Sequence, residues 1–327
     1  NKRILPYFLL YQFTTAGRSG HFDKIINKVS IGHLTREKLV AVNFLLPPFS
    51  EQLAIANYLD DQTQKIDHLI ANKKAQAEKL KELRQIEINN AVTKGLNPNA
   101  EMKDSGIEWL GKIPKHWEVK RLKNVSIVIS KGTTPSTMGE DLDESGNIRF
   151  IKAENIFNNN LQPNPEFYIT ENTDEILFRS RLEEGDILIV IAGATIGKVA
   201  IVTKEFLPSN TNQAVSFIRL NHRRVSKDYI FYLLQTSLIN QLIWLDAVVS
   251  AQPNLSMTNL GLFPVMLPPL KEQAEIANFL QNRTIAIDQL IKNIEAQIEK
   301  LQELRKIKIY EAVTGKIKVN AYAETTA

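Results

Sequence analysis

The chain has 327 residues, of which 43% are apolar, and carries a formal charge of +4 with a pI near 9.0. That is enough material for about two domains with real cores, and a balance compatible with an anionic partner but far from the charge density of a histone. The absence of cysteine excludes disulfides, thiolate zinc sites and a cysteine nucleophile. No apolar run approaches the roughly 18 residues of a membrane span, and Arg18 and His21 fall where a signal peptide needs an unbroken apolar stretch. A cytoplasmic protein with no membrane partner is expected.

In chain order, residues 1–45 resemble only the end of a domain that is met later. Phe8-Leu9-Leu10 is similar to Tyr232-Leu233-Leu234, and Gly32-His33-Leu34-Thr35 lies opposite Pro253-Asn254-Leu255-Ser256. Residues 1–45 therefore read as the C-terminal remnant of a first globular domain. A counterpart of Gly106 to about Arg224 is missing in front of it, so roughly the first 120 residues of a two-fold repeated protein are expected to be lacking.

A duplicated segment follows. Leu46-Pro47-Pro48-Phe49-Ser50-Glu51-Gln52 recurs as Leu267-Pro268-Pro269-Leu270-Lys271-Glu272-Gln273, and 28 of the 48 positions from Leu46–Thr93 and Leu267–Thr314 are identical. Each copy opens on a Pro-Pro pair and then runs without Pro or Gly to Gly95 or Gly315, which predicts two long helices, 46–95 and 267–316, each a rod on the order of 65 Å. In the second copy Ile287, Ile291, Ile294, Ile298 and Leu301 step by four and three, the seam of a coiled coil. The first copy follows with Ile66, Ile70, Lys73, Ala77 and Leu80, a weaker seam. The two helices are expected to pair with each other as an antiparallel coiled coil.

Between them, residues 104–266 are strand-rich. Ser126–Ile129, Ile148–Ile151, Asp186–Ile191, Val199–Val202 and Ala214–Ile218 are β-prone runs broken by Gly, Asn, Pro and Ser, and an apolar helical stretch spans Tyr229–Trp244. The fold class is thus α+β: a globular domain joined to two long paired helices, with a short tail at 317–327.

The segment Ser105-Gly106-Ile107-Glu108-Trp109-Leu110-Gly111-Lys112-Ile113-Pro114-Lys115-His116-Trp117-Glu118-Val119, then Gly185-Asp186-Ile187-Leu188, Gly193-Ala194-Thr195-Ile196-Gly197-Lys198 and Asn212-Gln213-Ala214-Val215, followed by Leu-Pro-Pro-x-x-Glu-Gln-x-x-Ile-Ala, together resemble the specificity subunits of Type I restriction-modification systems. The resemblance covers nearly the whole chain. It implies a non-catalytic subunit whose target-recognition domains each read half of a bipartite site on double-stranded DNA. The paired helices would set the spacing, and methyltransferase (modification) subunits and a restriction/translocase subunit would dock on the chain. S-adenosylmethionine, ATP and Mg would belong to those partner subunits, with no cofactor on this chain. By the same resemblance Met102-Lys103-Asp104-Ser105-Gly106 looks like the start of a single-domain subunit, so residues 102–327 are expected to fold as one domain and one rod and to self-associate through the exposed seam.

Near-motifs for chemistry fail on their residues. Gly193-Ala194-Thr195-Ile196-Gly197-Lys198-Val199 has three residues between its glycines where a phosphate loop needs four, and Val where it needs Ser or Thr. Leu46 and Leu267 stand where an adenine methyltransferase motif carries a polar side chain before Pro-Pro. Glu118-Val119-Lys120 has no Pro-Asp pair to complete a nuclease site. The histidines at 21, 33, 68, 116 and 222 lack metal-ligand spacing and read as surface or capping residues. Candidate DNA contacts are Lys131, Thr133, Thr134 and Ser136 in one small polar loop; Lys152, Asn155 and Asn158 around a polar turn; Lys198 after the second glycine; Asn210, Asn212 and Gln213 as amides for base edges; and Arg219, Arg223 and Arg224 for phosphates. The competing reading is a coiled-coil scaffold that brings partners together without sequence-specific DNA binding.

Overall fold

The computed structural model describes residues 4–18, 35–40, 42–143, 145–247 and 254–319. His21, Gly32, His33, Leu34 and Pro253 lie outside them. The chain divides into two compact units, one formed by Asn1–Lys81 with Asp288–Ala327 and the other by Glu82–Ile287.

The helices are α1 (Pro6–Arg18), α2 (Arg36–Val40), α3 (Phe49–Lys94), α4 (Leu122–Val125), α5 (Glu171–Ile176), α6 (Lys227–Leu234), α7 (Ser237–Ala247), α8 (Met257–Leu262) and α9 (Leu270–Val313). The two long ones start directly after their Pro-Pro pairs, and Gly95 and Gly315, at φ +74° and +71°, follow their ends in the left-handed conformation that closes a helix. Within the first unit α3 and α9 run antiparallel: Arg305 pairs with Asp67 at 2.8 Å while Lys308 donates to the Tyr58 hydroxyl at 3.3 Å. Burial follows the expected seam. Ile66, Ala77 and Ile287 are buried, and Ile70, Lys73, Leu80, Ile291, Ile294, Ile298 and Leu301 are half-buried. Their neighbours Leu69 and Leu290 are exposed. Within the second unit the same pairing places Arg283 at 2.8 Å from Glu87.

Among the described residues the strands all lie in the second unit: β1 (Met102–Asp104), β2 (Lys112–Pro114), β3 (Glu118–Arg121), β4 (Ser126–Lys131), β5 (Ile148–Ile151), β6 (Ile156–Phe157), β7 (Asn160–Leu161), β8 (Tyr168–Ile169), β9 (Ile187–Val190), β10 (Val199–Ile201), β11 (Ser209–Thr211), β12 (Val215–Leu220) and β13 (Pro264–Leu267). A four-stranded antiparallel sheet has the order β10-β9-β12-β4, and a three-stranded sheet the order β11-β5-β8 with β11 parallel to β5. The all-apolar β9 is buried at every residue, as a central strand covered on both faces must be. One face packs on Ile88, Ala91 and Val92 of α3, Tyr229 and Leu233 of α6, and Ile276 and Leu280 of α9. The other packs on Ile151, Ile156, Leu161 and Phe206.

Two expectations change. The apolar stretch 229–244 is two helices, because Ser226 and Thr236 each cap a separate start: Ser226 Oγ accepts from Tyr229 N at 3.5 Å and Thr236 Oγ1 from Ile239 N at 3.2 Å. Phe8-Leu9-Leu10 matches the later domain three residues out of the register expected above, at the 221-residue offset that the expected pairing of Thr35 with Ser256 already had. Tyr11 Oη lies 3.4 Å from Thr63 Oγ1, and Tyr232 Oη lies 3.3 Å from Thr284 Oγ1. Tyr11 is thus the counterpart of Tyr232, and Phe8 that of Tyr229. Both Phe8 and Tyr229 are fully buried.

Candidate nucleic-acid interface

Antiparallel pairing decides which loops share an end of the four-stranded sheet. Val215 faces Val190 and Ser216 faces Lys131, so the segments after β4, after β9 and before β12 emerge together. There Gly132 is held against β11: a Cβ on it would lie 1.8 Å from the Thr211 carbonyl oxygen, so no other residue fits without moving backbone. This close approach brings the loop holding Lys131, Thr133, Thr134 and Ser136 up to Asn212 and Gln213. Gln213 Oε1 accepts from Thr134 N at 3.1 Å and also from the Thr134 hydroxyl. Because Ile151 faces Thr211, Lys152 comes out at the same end. Its Nζ sits 3.4 Å from the centroid of the Phe167 ring.

Lys198 joins this end through the β9–β10 connection. Gly193 to Lys198 form a hairpin turn, with Gly197 N donating to Val190 O at 2.8 Å and Val190 N to Lys198 O at 2.9 Å. A strand turn, not a helix start, follows the glycines, and the phosphate-loop reading fails on geometry as well as on spacing. Beside it stands the β6–β7 hairpin, whose Asn158 and Asn159 take positive φ of 49° and 58°, the tight two-residue turn that Asn tolerates best. The turn presents Asn158 to solvent together with Phe157, 53% exposed and 5.4 Å by its ring centroid from Lys198 Nζ. An exposed phenylalanine on a rigid polar turn was missed in the sequence; a Phe directly before Asn-Asn-Asn was the available signal.

Other candidates are not brought there. Asn155 is 2% exposed, and its amide accepts from Lys152 N and donates to Gln162 O and Pro165 O. Asn210 is 0% exposed, bonded to Ser180, Asp174 and Leu177. Both are corrections: these amides hold loops in place and have no donor left for a base edge. Arg219 is corrected likewise. Its guanidinium grips buried Asp186 with Nε at 2.9 Å and Nη2 at 2.8 Å and pairs with Glu183 at 2.6 Å, and the hydrogen bond to Asp186 raises its pKa further. Arg223 and Arg224 are exposed but belong to the opposite end of the sheet, where Arg224 Nη1 donates to Asn124 O at 3.2 Å.

Of the histidines, His116 meets Glu272 at 2.7 Å, and His68 and His222 are exposed. Among the described residues no group of three His, Asp or Glu side chains is placed to hold a metal ion, and no helix is long and apolar enough to cross a membrane.

Residues 114–300 match the family model described as the Type I restriction modification DNA specificity domain. The chain is 28% identical to a putative type I restriction enzyme MjaX specificity subunit of Methanocaldococcus jannaschii, across 97% of this chain and 69% of that one. It is 27% identical to the MjaVIII specificity subunit of the same organism, across 95% and 70%. The EcoBI specificity subunit of Escherichia coli matches at 25% across 91% and 63%. Among solved structures, a chain from a study of complex assembly and conformational transition of the type I system superposes with TM-score 0.72 at 16% identity, covering 94% of this chain and 70% of that one. The HsdS subunit of Thermoanaerobacter tengcongensis gives 0.51 at 17%, covering 97% and 72%. At such identities these two speak for the fold alone.

Proposed function

The chain belongs to the Type I restriction-modification DNA specificity family, and from that membership we propose that it reads part of a bipartite site on double-stranded DNA and carries no catalytic step itself. The observation that supports this most is the convergence, at one end of the sheet, of Lys131, Thr133, Thr134, Ser136, Lys152, Asn158, Lys198, Asn212 and Gln213. Hydroxyls and amides that can pair with base edges there alternate with cations that can meet phosphates. Rigid strands and the Gly132 contact hold them, which suits a surface that must discriminate bases at little cost in ordering.

In this reading the paired helices α3 and α9 set the distance between half-sites, as two-fold geometry does for dimeric repressors. Methyltransferase subunits and a restriction/translocase subunit dock on the chain and bring S-adenosylmethionine, ATP and Mg, and the assembly works in the cytoplasm. The test is co-expression with the methyltransferase subunit and mapping of modified adenines genome-wide. A single bipartite motif that changes when Thr133, Thr134 and Gln213 are replaced supports the proposal. Assembly without any motif would favour the scaffold reading.

A further inference from the structure

We propose that Phe157, at the tip of the β6–β7 hairpin, inserts its ring into the base stack of the bound duplex, so that the chain selects its site partly by how easily one base step opens. The inference rests on the DNA-reading function proposed above and adds a contact that reads deformability where the polar loops read base edges.

The hairpin turns this ring away from the core. Its strands pair Ile156 with Leu161 and Phe157 with Asn160, and side chains alternate across a strand. Ile156 and Leu161 are buried in the cluster behind the sheet, so Phe157 and Asn160 face outward, and both are exposed. The mount beneath the ring is stiff. Both strands lie against β10. The side-chain amide of buried Asn155, just before β6, donates to Gln162 O and Pro165 O beyond β7 at 3.2 and 2.8 Å, while Gln162 N donates to Asn155 O at 2.7 Å. Those three bonds close the foot of the hairpin. At its tip Asn158 and Asn159 are, among the described residues, the two outside glycine with positive φ. Such backbone persists where the surroundings enforce it, and it concentrates at functional positions. Asn160 Nδ2 donates to Asn158 O at 3.0 Å across the turn. Lys198 Nζ, 5.4 Å from the ring centroid, is close enough to be drawn to the aromatic face.

A flat apolar ring on a fixed turn, with an exposed amide and a cation beside it, has the chemistry of a wedge against a duplex. The ring stacks on a face that every base offers. The Asn158 amide stays at the groove edge, and Lys198 meets a phosphate flanking the opened step. Because the mount is already ordered, little of the binding free energy is lost in fixing it. Pyrimidine–purine steps unstack most easily, so the wedge favours such a step beneath the hairpin without a hydrogen bond to either base.

The test uses the full chain assembled with the methyltransferase subunit, on duplexes carrying the mapped motif or a scrambled one. The fluorescent base 2-aminopurine, which brightens when unstacked, is placed at each position in turn, and dyes at the two ends report the bend. The wild type is expected to bend the motif duplex and to brighten one step other than the methylated adenine. Phe157→Ala should abolish both signals and weaken binding by about 5- to 100-fold, the loss of one stacked base, while Phe157→Trp keeps them. Replacing the opened pyrimidine–purine step by a purine–pyrimidine step should weaken the wild type more than Phe157→Ala. Melting curves identify a variant that merely unfolds, and Phe157→Gln, which keeps the reach of the side chain without an aromatic face, then carries the same expectation. No bright step in the wild type, or one that survives in Phe157→Ala, overturns this inference alone as long as the wild type prefers its motif. Weaker binding by Phe157→Ala with the bright step intact assigns the ring to a groove wall and also overturns it. A wild-type assembly with no preference for the motif overturns the underlying reading as well.

Discussion

Gln52 and Gln273, 221 positions apart, make the same two hydrogen bonds. Gln52 Oε1 accepts from Leu5 N at 2.9 Å while Nε2 donates to Pro47 O at 2.9 Å. Gln273 Oε1 accepts from Ser226 N at 2.8 Å while Nε2 donates to Pro268 O at 2.8 Å. In each unit one glutamine ties the Pro-Pro start of a long helix to the start of the short helix packed on it. Gln273→Leu leaves the half-buried Ser226 N and the buried Pro268 carbonyl unpaired and is expected to cost about 2–4 kcal/mol, read as a drop in denaturation midpoint. Gln52→Leu, whose partners Leu5 and Pro47 are both half-buried where Pro268 is buried, should cost about half as much. Equal and negligible effects would show that the repeated glutamine is not the tie.

Tyr229 predicts a pH dependence. Its hydroxyl donates to Met266 O at 2.7 Å, with Val92 O at 3.2 Å, and burial raises its pKa well above the ordinary value. The folded state keeps the phenol neutral while the unfolded chain ionises near pH 10, so the contribution is complete below about pH 10 and is lost as pH climbs beyond it. The wild-type advantage over Tyr229→Phe should shrink there by up to about 1.4 kcal/mol per pH unit. A difference that stays constant to pH 11 refutes the assignment.

Arg219 separates stability from recognition. Its fork fits Asp186, which is 1% exposed, and Lys cannot reproduce the two-point grip. Arg219→Lys is expected to lower stability by about 1–3 kcal/mol, discounted for the partial exposure of the guanidinium, without altering the methylated motif. A changed motif at unchanged stability would return Arg219 to the reading surface.

The sequence carried the duplicated helices and their seam because a period of four and three residues is local information, visible in Ile287, Ile291 and Ile294 without any tertiary contact. Strand positions were legible for the same reason, β5 to the residue. What was not legible depends on partners far away in the chain. Asn210 and Asn212 look alike as exposed amides until Ser180 and Asp174 close over the first. Arg219 looks like a phosphate ligand until Asp186, 33 residues earlier, meets it. Phe8-Leu9-Leu10 was set in the wrong register because it matches an aromatic-Leu-Leu string better than its true counterpart; the Tyr11 to Thr63 contact, repeated at Tyr232 and Thr284, and the Gln52 to Leu5 bond, repeated at Gln273 and Ser226, distinguish them.

The duplication also predicts how a shorter chain behaves. Ile88, Ala91 and Val92, at the end of α3, are buried in the core of the second unit, and their counterparts Ile309, Ala312 and Val313, at the end of α9, are buried in the first. A fragment spanning residues 102–327 keeps the second trio and lacks the first, so its recognition domain alone exposes the apolar seat that Ile88 and Val92 fill. It is expected to fold as a dimer in which the α9 end of each copy fills that seat in the other, the two helices pairing antiparallel across a two-fold axis. Melting temperature should then rise with protein concentration, as it does when folding and association are linked. With the methyltransferase subunit present, the symmetric pair should select a palindromic bipartite site. Ile309→Asp is expected to give an unstable monomer in the fragment, because it places a charge where the partner's core must close. A fragment that stays monomeric and melts cooperatively at a concentration-independent temperature would mean that the end of α3 is dispensable and that the duplicated helices do not replace one another.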